Sequence, residues 1–427
     1  MRSPRRGIVW LAALLALAGG QALARTPEEV ADAALRAAPV WDGHNDVPIQ
    51  LRGRYLNVLA DFDFHDTRGT GGEEGDTSWR GRTMHTDLAR LRQGRVGAQF
   101  WSVYVTAGLT EPEAVQATIE QIDVTRRLID RYPGDLALAL GAGDVAKAMK
   151  RGRIASLIGM EGGHSIGSSL AVLRQMHALG ARYMTLTHSK NTPWADSATD
   201  KPEHDGLTPF GELVVREMNR IGMLVDLSHV SEATMLDALA VAKAPVMFSH
   251  SGARGVAAHP RNVPDNVLAK LPANGGIVMV VAFPSFVSEL RRQWGAAMDA
   301  ELARANALNP GDPEAAKRAV EAWKSANPEP LATVSDVADH VDHIRKLAGI
   351  DHIGIGGDYD GMATGPVGME DVSGYPRLFA ELARRGYGQA DLEKIASGNM
   401  MRVMQAAQAY ASAHAGEAPI EAPVPKD

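Results

Sequence analysis

Short apolar runs alternate with segments of helical periodicity along most of the chain, and this alternation is the feature that most restricts its fold. Eight runs have the length of strands, namely residues 40–48, 96–105, 154–160, 183–187, 223–227, 245–248, 276–281 and 353–356. Strands that alternate with helices form parallel sheets, and eight such units close into a barrel. The alternation therefore predicts an α/β fold, a (β/α)8 TIM barrel. An open doubly wound sheet is the competing architecture, but no glycine-rich phosphate turn follows the first run.

The length of 427 residues suits one such barrel enlarged by insertions. We place the barrel at residues 25–410, with a helical insertion at about 286–324, after the seventh strand, and extra helices at the C-terminal end. The final stretch, 411–427, is rich in alanine, proline and charged residues, which is typical of a flexible tail.

Residues 1–24 have the pattern of a secretory signal peptide. Three arginines at positions 2, 5 and 6 precede an apolar run, and Ala22, Leu23 and Ala24 fit a cleavage site for signal peptidase. We therefore expect a periplasmic or secreted protein without a stable membrane anchor. An uncleaved anchor is the alternative, but the apolar run is shorter than the roughly 20 residues that span a bilayer.

The composition excludes several kinds of partner and site. A net charge of -7 argues against a nucleic-acid partner, because such surfaces are usually basic. The chain has no cysteine, which excludes disulfides, thiolate metal ligands and a lipidated cysteine anchor. Any metal must therefore be held by histidine, aspartate and glutamate.

Residues that could bind metal or transfer protons recur where the predicted strands end. On an extended strand His44 and Asp46 point to the same face, because side chains alternate with a period of two. The later strands end close to Glu161, His188, His229, His250 and Asp358. Active sites of TIM barrels are built at the carboxyl ends of their strands. The pattern therefore predicts that these side chains meet in one site.

Five of these side chains are candidate metal ligands: His44, Asp46, Glu161, His229 and His250. One catalytic zinc uses three protein ligands, so five exceed the needs of one ion and suit two ions if Glu161 bridges between them. Imidazole with carboxylate favours zinc, and manganese, cobalt or iron remain alternatives. Two ions about 3.5 to 4 Å apart can share a water, lower its pKa and polarise a carbonyl. The predicted chemistry is hydrolysis of an amide or ester.

Three further residues complete the predicted site. Asp358 is placed to take a proton from the bridging water and deliver it to a leaving amine. His188 can donate a hydrogen bond to the developing oxyanion, and Arg261 can hold a substrate carboxylate in a bidentate clamp. Taken singly, two of them have a plainer interpretation, Asp358 as a turn residue and Arg261 as a solvated or salt-bridged arginine.

Other histidines carry weaker signals. His164 lies close to Glu161 and is a candidate for supporting the ligands without binding metal itself. His340 and His343 lie at helical spacing, but exposed helix faces carry such pairs by chance, so we assign them no metal.

The motifs resemble the membrane dipeptidase, or renal dipeptidase, family of the amidohydrolase superfamily. The matching segments are Asp42-Gly43-His44-Asn45-Asp46, Gly159-Met160-Glu161-Gly162, Leu186-Thr187-His188, Asp226-Leu227-Ser228-His229, Phe248-Ser249-His250-Ser251, His259-Pro260-Arg261-Asn262 and Gly356-Gly357-Asp358-Tyr359-Asp360-Gly361. The resemblance implies a binuclear zinc barrel that hydrolyses dipeptides, with His188 and Arg261 binding substrate and Asp358 as acid and base. It also implies acceptance of a D-residue on the carboxyl side and, in some members, opening of β-lactams.

The leading hypothesis is a metal-dependent dipeptidase with two zinc ions and small dipeptides as substrates. A related amidase or lactonase of the same superfamily uses the same kind of site and is the enzymatic alternative. A metal-containing barrel that binds ligands without catalysis is the alternative from another class. A homodimer is compatible with all three hypotheses.

Overall fold

The computed structural model describes residues 25–72 and 81–423, which contain nine β-strands and seventeen α-helices. The strands are β1 (Val40–Asn45), β2 (Val96–Tyr104), β3 (Leu136–Leu138), β4 (Ile154–Glu161), β5 (Ala181–Thr185), β6 (Leu224–Asp226), β7 (Met247–Ser251), β8 (Ile277–Val280) and β9 (Ile353–Ile355). The helices are α1 (Pro27–Ala37), α2 (Val47–Tyr55), α3 (Leu88–Gln93), α4 (Glu111–Arg131), α5 (Ala142–Lys150), α6 (Leu170–Ala178), α7 (Pro209–Ile221), α8 (Glu232–Val241), α9 (Asp265–Leu268), α10 (Leu271–Asn274), α11 (Pro284–Val287), α12 (Glu289–Leu308), α13 (Pro313–Ala326), α14 (Val334–Ala348), α15 (Tyr375–Arg384), α16 (Gln389–Glu393) and α17 (Asn399–Ala413).

Eight of the strands form a closed parallel barrel. Their order is β2-β1-β9-β8-β7-β6-β5-β4, and β2 pairs with β4 from Ala98 opposite Ala155 to Tyr104 opposite Glu161, which closes the ring. Both faces of these strands are buried, since the inner face fills the barrel and the outer face lies under helices. The predicted TIM barrel is confirmed.

The short strand β3 lies outside the predicted pattern. It pairs with residues 154–156 at the start of β4, whereas β5 first meets β4 at Ile158. Strand β3 thus hydrogen-bonds the part of that edge that β5 leaves open. Three residues are too few to give a periodic signal, so only the neighbouring strand identifies this segment as β.

Helices α12 and α13 occupy the insertion predicted after the seventh barrel strand. They pack against each other as a hairpin around a small cluster of Ala305, Ala316 and Val320. No helix among the described residues is both long and apolar enough to cross a bilayer.

The chain termini test the predicted domain organisation only in part. The predicted signal peptide, residues 1–24, lies outside the described residues. Helix α17 ends at Ala413, and the backbone N–H of Ile420 donates to Glu217 Oε2 at 3.2 Å. The predicted domain limits, and the flexibility of the tail as a whole, stay predictions.

Candidate metal centre and active site

The carboxyl ends of the barrel strands position the candidate ligands. His44 lies in β1 and Asp46 directly follows that strand, Glu161 ends β4, and His250 lies in β7. His229 and Asp358 follow β6 and β9 with φ values of 70° and 61°. Left-handed backbone is costly for residues other than glycine, and such strain tends to collect at functional sites.

The carboxylate of Glu161 is the centre of the site, with imidazoles facing both of its oxygens. Its Oε2 lies 3.4 Å from His44 Nε2, and its Oε1 lies 2.9 Å from His229 Nε2 and 3.5 Å from His250 Nε2. His188 Nε2 is 3.6 Å from the same Oε1. All of these side chains except His188 are buried.

A second group of donor atoms joins this centre through His44. Its Nε2 is 3.5 Å from Asp46 Oδ2, and ligand atoms of His44, Asp46 and Asp358 all lie within 4.8 Å of one another. The Nε2 atom is buried and has no hydrogen-bond partner among the described residues. Buried polar atoms are normally satisfied, so an orphan facing carboxylates indicates that another group belongs there. Imidazole and carboxylate donors fit a divalent metal.

The electrostatics of the centre also fit a cation. Burial opposes a charge on His44, yet the Tyr183 hydroxyl and two facing carboxylates raise its pKa well above the ordinary value. Burial lowers the pKa of His188 to about 4, and it holds the pKa values of His229 and His250 well below the ordinary value. These three imidazoles are therefore neutral near pH 7, which leaves each ring with a nitrogen lone pair that could bind a metal.

Two carboxyl groups of the site, those of Glu161 and Asp358, differ in proton affinity. Burial opposes ionisation of Glu161, but the imidazoles around it, His44 first, hold its pKa well below the usual range. Burial raises the pKa of Asp358 well above the usual range, and nearby carboxylates reinforce the effect against the opposing influence of His44. Glu161 therefore favours the ionised form, and Asp358 binds a proton more readily than an exposed aspartate does.

Hydrogen bonds behind the ligands orient their rings. The Ser249 hydroxyl donates to Asp226 Oδ2 at 2.6 Å and lies 2.8 Å from His250 Nδ1, which leaves His250 Nε2 facing the site. The Tyr183 hydroxyl lies 2.9 Å from His44 Nδ1, and Ser102 donates to Glu161 Oε2 at 2.9 Å. Sequence reasoning missed these supporting residues. Ser249 stands directly beside a candidate ligand, so adjacency was the available signal for it.

A cavity of about 520 Å³ opens over the candidate ligands. Its wall includes the aromatic residues Tyr104, Phe283 and Phe286, and Arg261 reaches it from the loop after β7. The Arg261 guanidinium is buried, and its Nε and Nη1 atoms have no partner in the part of the chain that the structure describes. A buried cation with unused donors is suited to an anionic group that enters the cavity.

The remaining histidines lie elsewhere. His164 Nε2 lies 3.1 Å from the Val105 carbonyl oxygen, and the ring is absent from the candidate metal groups among the described residues. His340 and His343 do not form an exposed pair: His340 is fully buried, and His343 Nε2 lies 2.8 Å from Asp265 Oδ1. All eight predicted site residues line or adjoin one cavity, while their individual roles stay predictions.

Comparisons with known proteins identify the family to which the fold and the motifs correspond. The family model described as "Membrane dipeptidase (Peptidase family M19)" matches residues 28–417. Dipeptidase 3 of Rattus norvegicus is 42% identical over 404 residues, covering 93% of this chain and 71% of the rat protein. Dipeptidase 3 of Mus musculus is 41% identical over 404 residues, covering 93% of this chain and 70% of the mouse protein.

Solved structures share the fold. The probable dipeptidase PvdM from Pseudomonas aeruginosa has a TM-score of 0.74 at 24% identity, covering 90% of this chain and 99% of that one. A metallo peptidase from Rhodobacter sphaeroides, liganded with a phosphinate mimic of the dipeptide L-Ala-D-Ala, has a TM-score of 0.68 at 24% identity, covering 87% and 99%. The candidate ligands at the strand ends, the family match and the 42% identity together lead to one conclusion. The chain belongs to the membrane dipeptidase family, and it is a metal-dependent dipeptidase.

Proposed function

We propose that the protein is a binuclear zinc dipeptidase that cleaves the amide bond of dipeptides, including those with a C-terminal D-residue. The observation that carries the proposal is the position of Glu161 between imidazoles. His44 faces Oε2 at 3.4 Å, while His229 and His250 face Oε1 at 2.9 and 3.5 Å. A carboxylate with nitrogen donors on both oxygens is suited to bridging two ions.

The donors divide into two sets. His44, Asp46 and one oxygen of Glu161 would hold one ion, and the other oxygen with His229 and His250 would hold the second. Zinc bound there supplies a Lewis acid that polarises the scissile carbonyl and lowers the pKa of water.

The side chains of the protein supply proton transfer and orientation. Asp358 takes a proton from the attacking water and delivers it to the leaving amine, a role that suits a carboxyl group whose pKa is raised by burial. His188, with only partial exposure and a pKa of about 4, donates a hydrogen bond to the carbonyl oxygen as its negative charge grows. Arg261 binds the terminal carboxylate with its unused donors.

Acceptance of a D-residue rests on a more distant similarity. The Rhodobacter sphaeroides metallo peptidase was solved with a mimic of L-Ala-D-Ala, and it shares 24% identity with this chain. We therefore choose L-Ala-D-Ala as the first substrate, with L-Ala-L-Ala as its stereochemical control. An N-acyl amino acid and a lactone test the related amidase and lactonase alternatives.

The decisive experiment combines elemental analysis with hydrolysis assays before and after chelation. We expect about two zinc ions per chain, loss of dipeptide cleavage on chelation, and recovery when zinc is added back. Full activity in chelated protein, or stable binding of one ion with undiminished cleavage, would overturn the binuclear proposal. Turnover of the lactone but not of the dipeptides would favour the alternative enzyme.

We also propose that the chain is exported and that its first 24 residues are removed. The support is the basic, apolar and small-residue pattern at its start. N-terminal sequencing of the periplasmic and secreted fractions tests this proposal, with a new N-terminus near Arg25 as the expected result. An intact N-terminus in the cytoplasmic fraction would contradict it.

A further inference from the structure

The loop that carries Arg261 is fastened to the cavity wall by buried hydrogen bonds. This loop, residues 252–262, follows β7 and therefore follows the ligand His250. The wall segment is α11, which follows β8 and carries Phe286. The Arg261 guanidinium lies 5.4 Å from the centre of the Phe286 ring. Two side chains from outside the predicted site, Asn262 and His340, join the loop to α11.

Asn262 links the loop to α11 through both the oxygen and the nitrogen of its side-chain amide. Its Oδ1 accepts from the Gly252 N–H at 2.9 Å, at the start of the loop. Its Nδ2 donates to the Ala257 carbonyl at 2.9 Å and to the Phe286 carbonyl at 2.7 Å. The residue is fully buried, so each of these bonds is made in the absence of competing water.

His340 makes a second link from α14. Its Nδ1 accepts from the Ala253 N–H at 2.7 Å, and its Nε2 donates to the Val287 carbonyl at 3.1 Å. This pair of bonds requires the neutral ring with its proton on Nε2, and burial lowers the pKa of His340 to about 4. A Cβ atom added at Gly252 would lie 2.6 Å from Asn262 Oδ1 and 2.7 Å from His340 Nδ1, so both side chains pack against the same backbone.

Arg261 itself has little to hold it. Its guanidinium donates from Nη2 to the His250 carbonyl at 3.4 Å, and its Nε and Nη1 atoms lack hydrogen-bond partners within the described ranges 25–72 and 81–423. Apart from this bond and the Phe286 ring, the direction of the side chain depends on the backbone that carries it. Asn262 is the next residue along the chain, and its three bonds join that backbone to the start and the middle of the loop and to the aromatic wall.

We infer that Asn262 and His340 are positioning residues. They fix Arg261 and Phe286 relative to the metal ligands, so that Arg261 can bind the substrate carboxylate. The inference rests on the proposed role of Arg261. Because small displacements of a binding group are costly, loosening either link reduces carboxylate recognition without altering the ligands.

The test compares the hydrolysis of L-Ala-D-Ala with that of its C-terminal carboxamide in the variants Asn262→Ser and His340→Gln. Both variants keep a polar side chain at the substituted position. For the dipeptide we expect KM to rise about tenfold to a hundredfold with little change in kcat. For the carboxamide, which lacks the carboxylate, KM and kcat stay at the wild-type values. Metal content at the wild-type level verifies that the ligands are intact. His343→Gln, on the same helix, is the matched control, because His343 bonds Asp265 and packs against Gly255 of the same loop, but its ring has no hydrogen bond to the loop or to α11 among the described residues.

Arg261→Ala separates this inference from the proposed function. If that variant still prefers the dipeptide to the carboxamide, the carboxylate role of Arg261 is wrong. If Arg261→Ala loses the preference while folded, metal-loaded Asn262→Ser and His340→Gln keep it, the positioning role is wrong. Equal losses on both substrates would also overturn it, because they would show a general structural effect.

Discussion

Polar side chains at the rim of the barrel and in the α12–α13 hairpin differ in their burial and in their partners. At the rim, histidines and carboxylates are buried against one another, and atoms such as His44 Nε2 and Arg261 Nη1 have no partner within the described part of the chain. In the hairpin, charged side chains lie at the surface and pair locally, as Arg304 does with Glu301 and Lys324 with Glu321 at a spacing of three residues.

The apolar residues show the same contrast. Strands of the barrel are buried along nearly their whole length, whereas the hairpin covers only a small cluster and leaves Leu302 and Leu308 exposed by 41% and 64%. Local ion pairs and a few apolar contacts stabilise the hairpin. They leave none of its buried side-chain polar atoms without a hydrogen-bond partner among the described residues. Unsatisfied buried atoms of titratable side chains, such as His44 Nε2 and Arg261 Nη1, distinguish the rim from the hairpin.

The largest effect is expected from Asp358→Asn, which tests whether the rim holds a proton-transfer group as well as ligands. Asparagine keeps the shape and tolerates the left-handed backbone at φ 61°. We expect kcat to fall by about 10² to 10⁴ with metal content unchanged, measured by steady-state kinetics and elemental analysis. Asp205→Asn, at φ 53° on an exposed loop, is the matched control. Loss of metal from Asp358→Asn would instead make Asp358 a ligand beside His44 and Asp46.

A smaller effect is expected from Ser249→Ala, which weakens the support behind one ligand. The substitution removes the hydroxyl between Asp226 and His250, so the ring of His250 loses its orienting partner. We expect zinc affinity to fall about tenfold to a hundredfold in a competition titration with a chelator. In the control, Ser251→Ala, the lost hydroxyl faces Ser228 at 3.2 Å and not the His250 ring. Equal affinities in both variants would show that the ligand does not depend on Ser249.

The smallest effect is expected from Leu308→Lys at the exposed end of α12. A cation suits a helix C-terminus, and the side chain is 64% exposed. The free energy of unfolding should change by no more than about 0.5 kcal/mol, with kcat/KM unchanged. Val320→Lys, within the small cluster of the hairpin, should destabilise the protein measurably in the same denaturation experiment. A fall in kcat/KM for Leu308→Lys would show that the hairpin contributes to the site. The functional difference between the rim and the hairpin would then be wrong.

Much of the barrel was predictable because alternation and strand-end polarity are local patterns. The proximity of His44 and Asp46 was predictable from their spacing, although Asp46 lies just past the end of β1 and directly precedes α2. The meeting of the other candidate ligands follows from the rule that strand ends meet. Strand β3 was not predictable, since three residues become a strand only where β4 offers an open edge. The supporting hydroxyl of Tyr183 was also missed, because nothing beside it in the chain indicates the ring of His44 139 residues away.

The sequence by itself determined the barrel class, the kind of metal donor available and the order in which donors reach the rim. These features depend on residue chemistry and on short-range periodicity, and both are properties of local sequence. The sequence already placed His188 at the rim, where it faces Glu161, but only the tertiary structure shows that His340 links the loop of residues 252–262 to α11 from another helix. Their roles diverge because hydrogen bonds form between segments that only folding brings together, and burial then sets which atoms can remain unpaired.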